Sequence, residues 1–167
     1  LLHDRLMCAF EQCDMGNYAA HTARTDRITR EDQDHYEAES QRRAAAAIAS
    51  CAFSDQIVAV PVPGTDTTVT MDEGPRPDTT PQALGKLKAA FEPGGTVTAG
   101  NASMLSDGGA AVVVTSRRYA DFHGLVPMAR VVAYATAGTE PRDLFISPVF
   151  AVQKVLAKVA LEVHDID

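Results

Sequence analysis

A chain of 167 residues with 46% apolar side chains is long enough for one ordinary core and too apolar to be a disordered tail. Its 22 acids against 15 bases leave a net charge of −7, which argues against nucleic-acid binding as its main business, since that needs a basic face, while leaving room for a local basic patch on a small phosphorylated ligand. Cys8, Cys13 and Cys51 are odd in number and form no Cys-x-x-Cys, which argues against a disulfide framework or zinc knuckle and for reduced, cytoplasmic thiols; the longest apolar runs are far too short to span a bilayer.

Leu2, Leu6 and Phe10 recur every four residues, with His3, Asp4 and Arg5 among them, so the opening reads as an amphipathic helix. The chain starts at Leu1 within this pattern and lacks the regions of a signal peptide, from which we expect it to begin in mid-protein. Met15-Gly16-Asn17 is expected to break the helix, with a second short one over 18–25. Thr29 and Asp32 form a variant capping box, and a long helix should follow to about Ser50. The β-branched run 57–62 and its partner 67–71 read as a hairpin. A loop then carries Pro75-Arg76-Pro77, and Thr80-Pro81 should cap a helix reaching about Ala90. Pro93-Gly94-Gly95 closes that part. Beyond the small-residue run GTVTAGNAS, strand 110–115, helix 116–123, strand 128–136 and a helix capped by Ser147-Pro148 give the alternation of an α/β sheet. In that last helix Val149, Val152, Val155, Leu156 and Val159 follow the helical period.

Searched residue by residue, the chain offers little chemistry. Histidines 3, 21, 35, 123 and 164 stand singly, with no metal-ligand spacing. No glycine pattern matches a phosphate-binding loop, and no serine sits in a Gly-x-Ser-x-Gly elbow. No metal site is expected.

Read together in order, certain segments carry more. They are Met15-Gly16; Arg30-Glu31-Asp32-Gln33-Asp34; Phe53-Ser54-Asp55-Gln56-Ile57-Val58; Arg76-Pro77-Asp78-Thr79-Thr80; Leu84-Gly85-Lys86-Leu87 to Phe91; and Gly95 to Ser103, GTVTAGNAS, with Asp107-Gly108 beyond it. This succession resembles the thiolases, the acetyl-CoA acetyltransferase family, across essentially the whole chain.

The resemblance implies an α/β fold, the thiolase-like layered αβαβα core, here incomplete. By that analogy residues 1–108 are most of the inserted, coenzyme A-binding loop domain. Residues 109–120 hold the last strand of the N-terminal half, and 121–167 start the C-terminal half. The implied chemistry is a Claisen condensation, or thiolytic cleavage of 3-ketoacyl-CoA, through a nucleophilic cysteine with a second cysteine and a histidine moving protons. The family's Cys-Gly-Ser-Gly-like turn and Gly-His-Pro motif do not occur in these 167 residues, so no catalytic residue is assigned. A second reading is a thiolase-like protein that binds acyl-CoA or lipid without turnover.

Binding residues carry over one at a time. Arg76 matches the position that reaches the nucleotide end of coenzyme A, where a planar, permanently charged group suits phosphate or adenine; its plainer reading is a solvated loop arginine. Ala99 and Ser103 match positions lining the pantetheine arm, or else form a tight turn packing on the next strand. Phe91, Met15 and Leu6 match apolar wall positions, or are simple core. The implied ligands are acetyl-CoA and other acyl-CoA thioesters as substrates, with no further cofactor, no nucleic acid and no membrane; the implied assembly is a homodimer or homotetramer. Asp14, Ala83, Met104 and Ser106 depart from residues common in the family (His, Ser, Gly and Asn), which bears on acyl-chain preference.

Overall fold

The computed structural model describes residues 6–106 and 108–166, in two units, Leu1–Met104 and Leu105–Asp167. In the first unit the helices are α1 (Met15–Thr25), α2 (Arg30–Ala49) and α3 (Pro81–Leu84), with one hairpin of β1 (Val60–Pro61) and β2 (Thr68–Val69). The predicted cap of α2 forms in full. Asp32 N–H donates to Thr29 Oγ1 and Thr29 N–H to Asp32 Oδ2, each at 3.1 Å. The Thr29 hydroxyl also donates to Asp32 Oδ2 at 2.7 Å, and this bond first, then the one from the Thr29 N–H, holds the Asp32 carboxyl below its ordinary pKa. The cap therefore stabilises α2 above the usual aspartate range and is lost as pH falls through the lowered value.

The opening differs from expectation. Residues 1–5 of the predicted helix lie outside the described residues. Met7 bridges Asp14 in antiparallel fashion, Cys8 N–H donates to Cys13 O (2.8 Å), and Gln12, at φ 52°, closes the turn by donating to Cys8 O (3.0 Å). Phe10 sits on that turn and is exposed, so its four-residue spacing from Leu6 marks no helical face. Helix α1 begins at Met15 and includes Gly16 and Asn17, which were expected to break it. Glycine at 16 is explained by packing. A Cβ there would fall 2.2 Å from Cδ2 of Phe91, so the ring occupies the space that any other residue would fill.

Gly16→Ala is therefore expected to destabilise the protein by roughly 1–2 kcal/mol, since overpacking outweighs the gain in helix propensity. Denaturant midpoints would show it. In a Phe91→Ala background the same substitution should become neutral or stabilising; a stabilised single variant would mean that the ring is not held over Gly16.

The hairpin is shorter than predicted, with Val60 opposite Val69 and Pro61 opposite Thr68, and both strands are exposed. Thr80 caps α3 through its hydroxyl (Ala83 N–H, 3.2 Å), yet α3 stops at Leu84 rather than near Ala90. Continuation loses to a tertiary pairing: Ala89 bridges Thr98, and Ala90 N–H donates to Val97 O at 2.9 Å. The buried residues here are mostly small, with Ala20, Ala23 and Ala38 beside Tyr18, Leu84 and Val97.

The second unit holds α4 (Arg117–Phe122) and α5 (Ser147–Val159). The helix expected over 116–123 forms, and Ser116 is its cap, accepting from Tyr119 N–H at 3.1 Å. Ser147 does not cap α5: a 3₁₀ turn over Pro141–Ile146 runs straight into it, and the serine hydroxyl donates back to Leu144 O (2.7 Å). The expected buried strands at 110–115 and 128–136 are not formed. No ladder includes them among the described residues, and Val113 and Met128 are 92% and 103% exposed. A strand needs a paired neighbour, and no described segment of this unit supplies one. Segment 134–136 instead leans on α5, where Lys158 Nζ donates to Tyr134 O (2.7 Å) and Lys154 Nζ to Thr136 O (3.4 Å).

Candidate functional site

One face of α2 organises the first unit. Asp34, Ala38 and Gln41 recur at the helical period; the first two are buried and the third half-buried. Asp34 lies 3% exposed and accepts from Arg30 Nε (2.8 Å), one turn earlier, and from Asn101 Nδ2 (3.0 Å). Arg30 extends the network by donating to Leu84 O (2.6 Å), which also accepts from Leu87 N–H, and to Leu87 O (3.2 Å), just past the end of α3.

The same carboxylate orders the GTVTAGNAS run. Asn101 donates to Thr96 O (3.0 Å) and accepts from Thr98 N–H (2.7 Å), while the fully buried Thr98 hydroxyl accepts from the N–H groups of Gly100 (3.2 Å) and Asn101 (3.3 Å). Gln33 Nε2 adds a bond to Thr96 Oγ1 (3.0 Å). Gly100 allows the close approach: a Cβ there would stand 2.5 Å from both Leu84 and Leu87. Two turns after Asp34, Gln41 Oε1 accepts from Arg76 N–H at 2.6 Å, which ties the proline-flanked loop to the same helix.

Two grooves result. The smaller, about 240 Å³, is bounded by Gln41, Gly74, Arg76, Ala83, Ala99 and Met104, among others. Arg76 is the cation among its lining residues, against Glu37 and Asp78. Met104 fills its edge, for a Cβ on Gly74 would fall 2.3 Å from the Met104 methyl. The larger, about 560 Å³, is lined by Ile28, Tyr36, Asn101 and Ser103 and shares Glu37 and Ala102 with the first.

The structure thus brings Arg76 and Ala99 into one groove and puts Ser103 in its neighbour. Leu6, Met15 and Phe91 line neither. Phe91 lies over Gly16, next to Met15, and the register of the Met7–Asp14 bridge sets Leu6 opposite Met15, so these three belong to the region around the start of α1. Asp34 was read from sequence only as part of the Arg30–Asp34 motif, with no site role, and Gln41 and Glu37 were not singled out. The available signal was their shared face at spacings of three, four and seven.

Neither groove is lined by cysteine or histidine, and among the described residues no three His, Cys, Asp or Glu side chains gather to hold a metal. The arrangement can hold an elongated ligand; it offers no thiol or imidazole there. Among the described residues no helix is long and apolar enough to cross a membrane.

Residues 1–118 match the family described as Thiolase, N-terminal domain, and residues 125–167 match Thiolase, C-terminal domain. The chain is 44% identical to an acetyl-CoA acetyltransferase of Thiocystis violacea, over all of this chain but 43% of that protein. The solved structure of the Bacillus anthracis acetyl-CoA acetyltransferase superposes with a TM-score of 0.89 at 40% identity, covering 97% of this chain and 42% of that one. Human mitochondrial 3-ketoacyl-CoA thiolase in complex with CoA superposes with a TM-score of 0.90 at 37% identity, covering 99% of this chain and 42% of that one.

Proposed function

The chain belongs to the thiolase family, and from that premise we propose that it is the coenzyme A-holding part of an acyl-CoA:acetyl-CoA acyltransferase. The reaction would be Claisen condensation of acetyl units or thiolytic cleavage of 3-ketoacyl-CoA. What supports this best is that one helix, α2, fixes both loops that the family likeness marks for the ligand, the Arg76 loop through Gln41 and the GTVTAGNAS loop through Asp34. The grooves adjoin, with Glu37 and Ala102 in both linings, and on this reading an extended ligand lies across both along α2. On this reading Arg76 meets the nucleotide end, while Ala99 and Ser103 flank the pantetheine arm. Small side chains admit a narrow chain, and the Ser103 hydroxyl can hydrogen-bond an amide. Leu6, Met15 and Phe91 would serve as apolar wall at the start of α1. The assignment extends to the whole protein: a layered αβαβα core, residues 1–108 in its loop domain, cytoplasmic, and working as a dimer or tetramer.

Arg76→Ala in the native protein tests it. A charge-assisted contact in an exposed loop should raise the Michaelis constant for CoA substrates by roughly 5- to 30-fold. Turnover number should hardly change, because a remote contact made equally in ground and transition states is uniform binding. Pantetheine substrates that lack the nucleotide should not distinguish variant from wild type. Loss of turnover with every thioester, or unfolding, would make Arg76 structural. Tight binding with no turnover by the native protein would favour a non-catalytic acyl-CoA binder.

A further inference from the structure

Three side chains near the start of the chain have no part in the grooves. Cys8 and Cys13 face each other across the opening hairpin, one step inside the Met7–Asp14 bridge and joined by the Cys8 N–H to Cys13 O bond of 2.8 Å. Cys8 O turns to Gln12 N–H, so a single cross-bond joins the pair; residues opposed through such bonds stand about 5.5 Å apart at Cα, within the range of roughly 4.4–6.8 Å that a disulfide spans. The third residue is Tyr18, 3% exposed, one turn into α1. Its hydroxyl is buried with no well-formed hydrogen bond, and the groups acting on it are the thiols of both Cys8 and Cys13.

We propose that Cys8 and Cys13 are an oxidisable thiol pair, which a peroxide converts into an intramolecular disulfide across the hairpin. Cys8 is buried and Cys13 half-buried, so the oxidant enters at Cys13. The Cys13 thiolate takes one oxygen atom from hydrogen peroxide, breaking the O–O bond, releasing hydroxide and becoming a sulfenic acid. The Cys8 thiolate then attacks Cys13 Sγ, the S–O bond breaks, and the hydroxide leaves as water with the proton that Cys8 gave up. In sum two thiols are oxidised, one peroxide is reduced, and two waters form. Burial does not hinder the second step, because Cys8 meets no external reagent. Its thiol is set below the ordinary cysteine pKa, first by the Tyr18 hydroxyl and then by backbone contacts at Glu11 and Phe10, whose N–H lies 3.4 Å from Cys8 Sγ. Excess thiol reverses the bond by exchange.

The test needs no substitution to begin. Cys8 and Cys13 share the tryptic peptide Leu6–Arg24, whereas Cys51 lies in another. Native protein is treated with limiting hydrogen peroxide, alkylated with iodoacetamide, digested and weighed without reduction. The expected result is a peptide lighter by two hydrogens, with both thiols lost to alkylation, while exposed Cys51 stays alkylatable; dithiothreitol should restore both. Tyr18→Phe, checked for folding by circular dichroism, should slow closure severalfold at neutral pH, as the hydroxyl that favours the Cys8 thiolate is gone. Two outcomes overturn the proposal: Cys8 and Cys13 both alkylated at a peroxide dose that oxidises Cys51, or Cys13 carried to sulfinic acid with Cys8 still free.

Discussion

Replacing Asp34 with alanine is expected to destabilise the native protein by about 3–5 kcal/mol, the usual cost of removing one partner from a buried charged pair. The Asp34 side chain is 4% exposed and that of Arg30 20%, so water can only partly replace the lost carboxylate. Arg30 keeps its bonds to the Leu84 and Leu87 carbonyls, which places the loss towards the lower end of that range. Asn101 loses the acceptor that fixes its amide, and with it the GTVTAGNAS loop loses its attachment to α2. Hydrogen exchange should show this directly. The N–H groups of Thr98, Gly100 and Asn101, each held by a bond inside the loop, should lose protection before those of mid-α2. Asp34→Asn retains an acceptor oxygen without the charge and should fall between wild type and alanine. A denaturant midpoint within error of wild type for Asp34→Ala would show that the loop is held by something other than this carboxylate.

No acyl transfer is expected from the 167-residue chain by itself when acetoacetyl-CoA and CoA are supplied together. Thiolysis through a covalent intermediate needs an activated thiolate, a proton-transfer partner and donors for the enolate oxygen in one place. The grooves proposed for the ligand contain no cysteine or histidine, and the family's two catalytic motifs are absent from these residues. Cys8 is buried beside Tyr18, and Cys51 lies exposed after the end of α2. Since enzymes commonly accelerate reactions by about a million-fold or more, the assay separates the outcomes cleanly. Release of acetyl-CoA above the buffer rate, abolished by alkylating one of the three cysteines, would overturn the assignment of no catalytic residue to this chain.

What the sequence determined by itself was local or carried by motif. Thr29 and Thr80 cap helices as predicted, because a cap is made by a side chain and an N–H three residues away; Ser147 fails to do so only because a 3₁₀ turn runs into its helix. The extent of α2 followed from its cap and composition, and the ordered run of motifs was enough to identify the family. The tertiary structure decided whatever depends on a distant partner. Leu6 and Phe10 keep helical spacing, yet the Met7–Asp14 bridge makes that stretch a hairpin. Helix α3 ends early because Arg30 claims the Leu84 and Leu87 carbonyls and Ala89 pairs with Thr98. The valines at 112–114 have strand character but no described strand beside them, so they stay exposed. Arg76, Ala99 and Ser103 could be named from motifs. Their division between two grooves, and the anchoring of both loops by Asp34 and Gln41, come from hydrogen bonds spanning 67 and 35 residues. A short-range pattern cannot encode contacts at that separation, because their formation depends on how the whole chain packs rather than on the residues next to them.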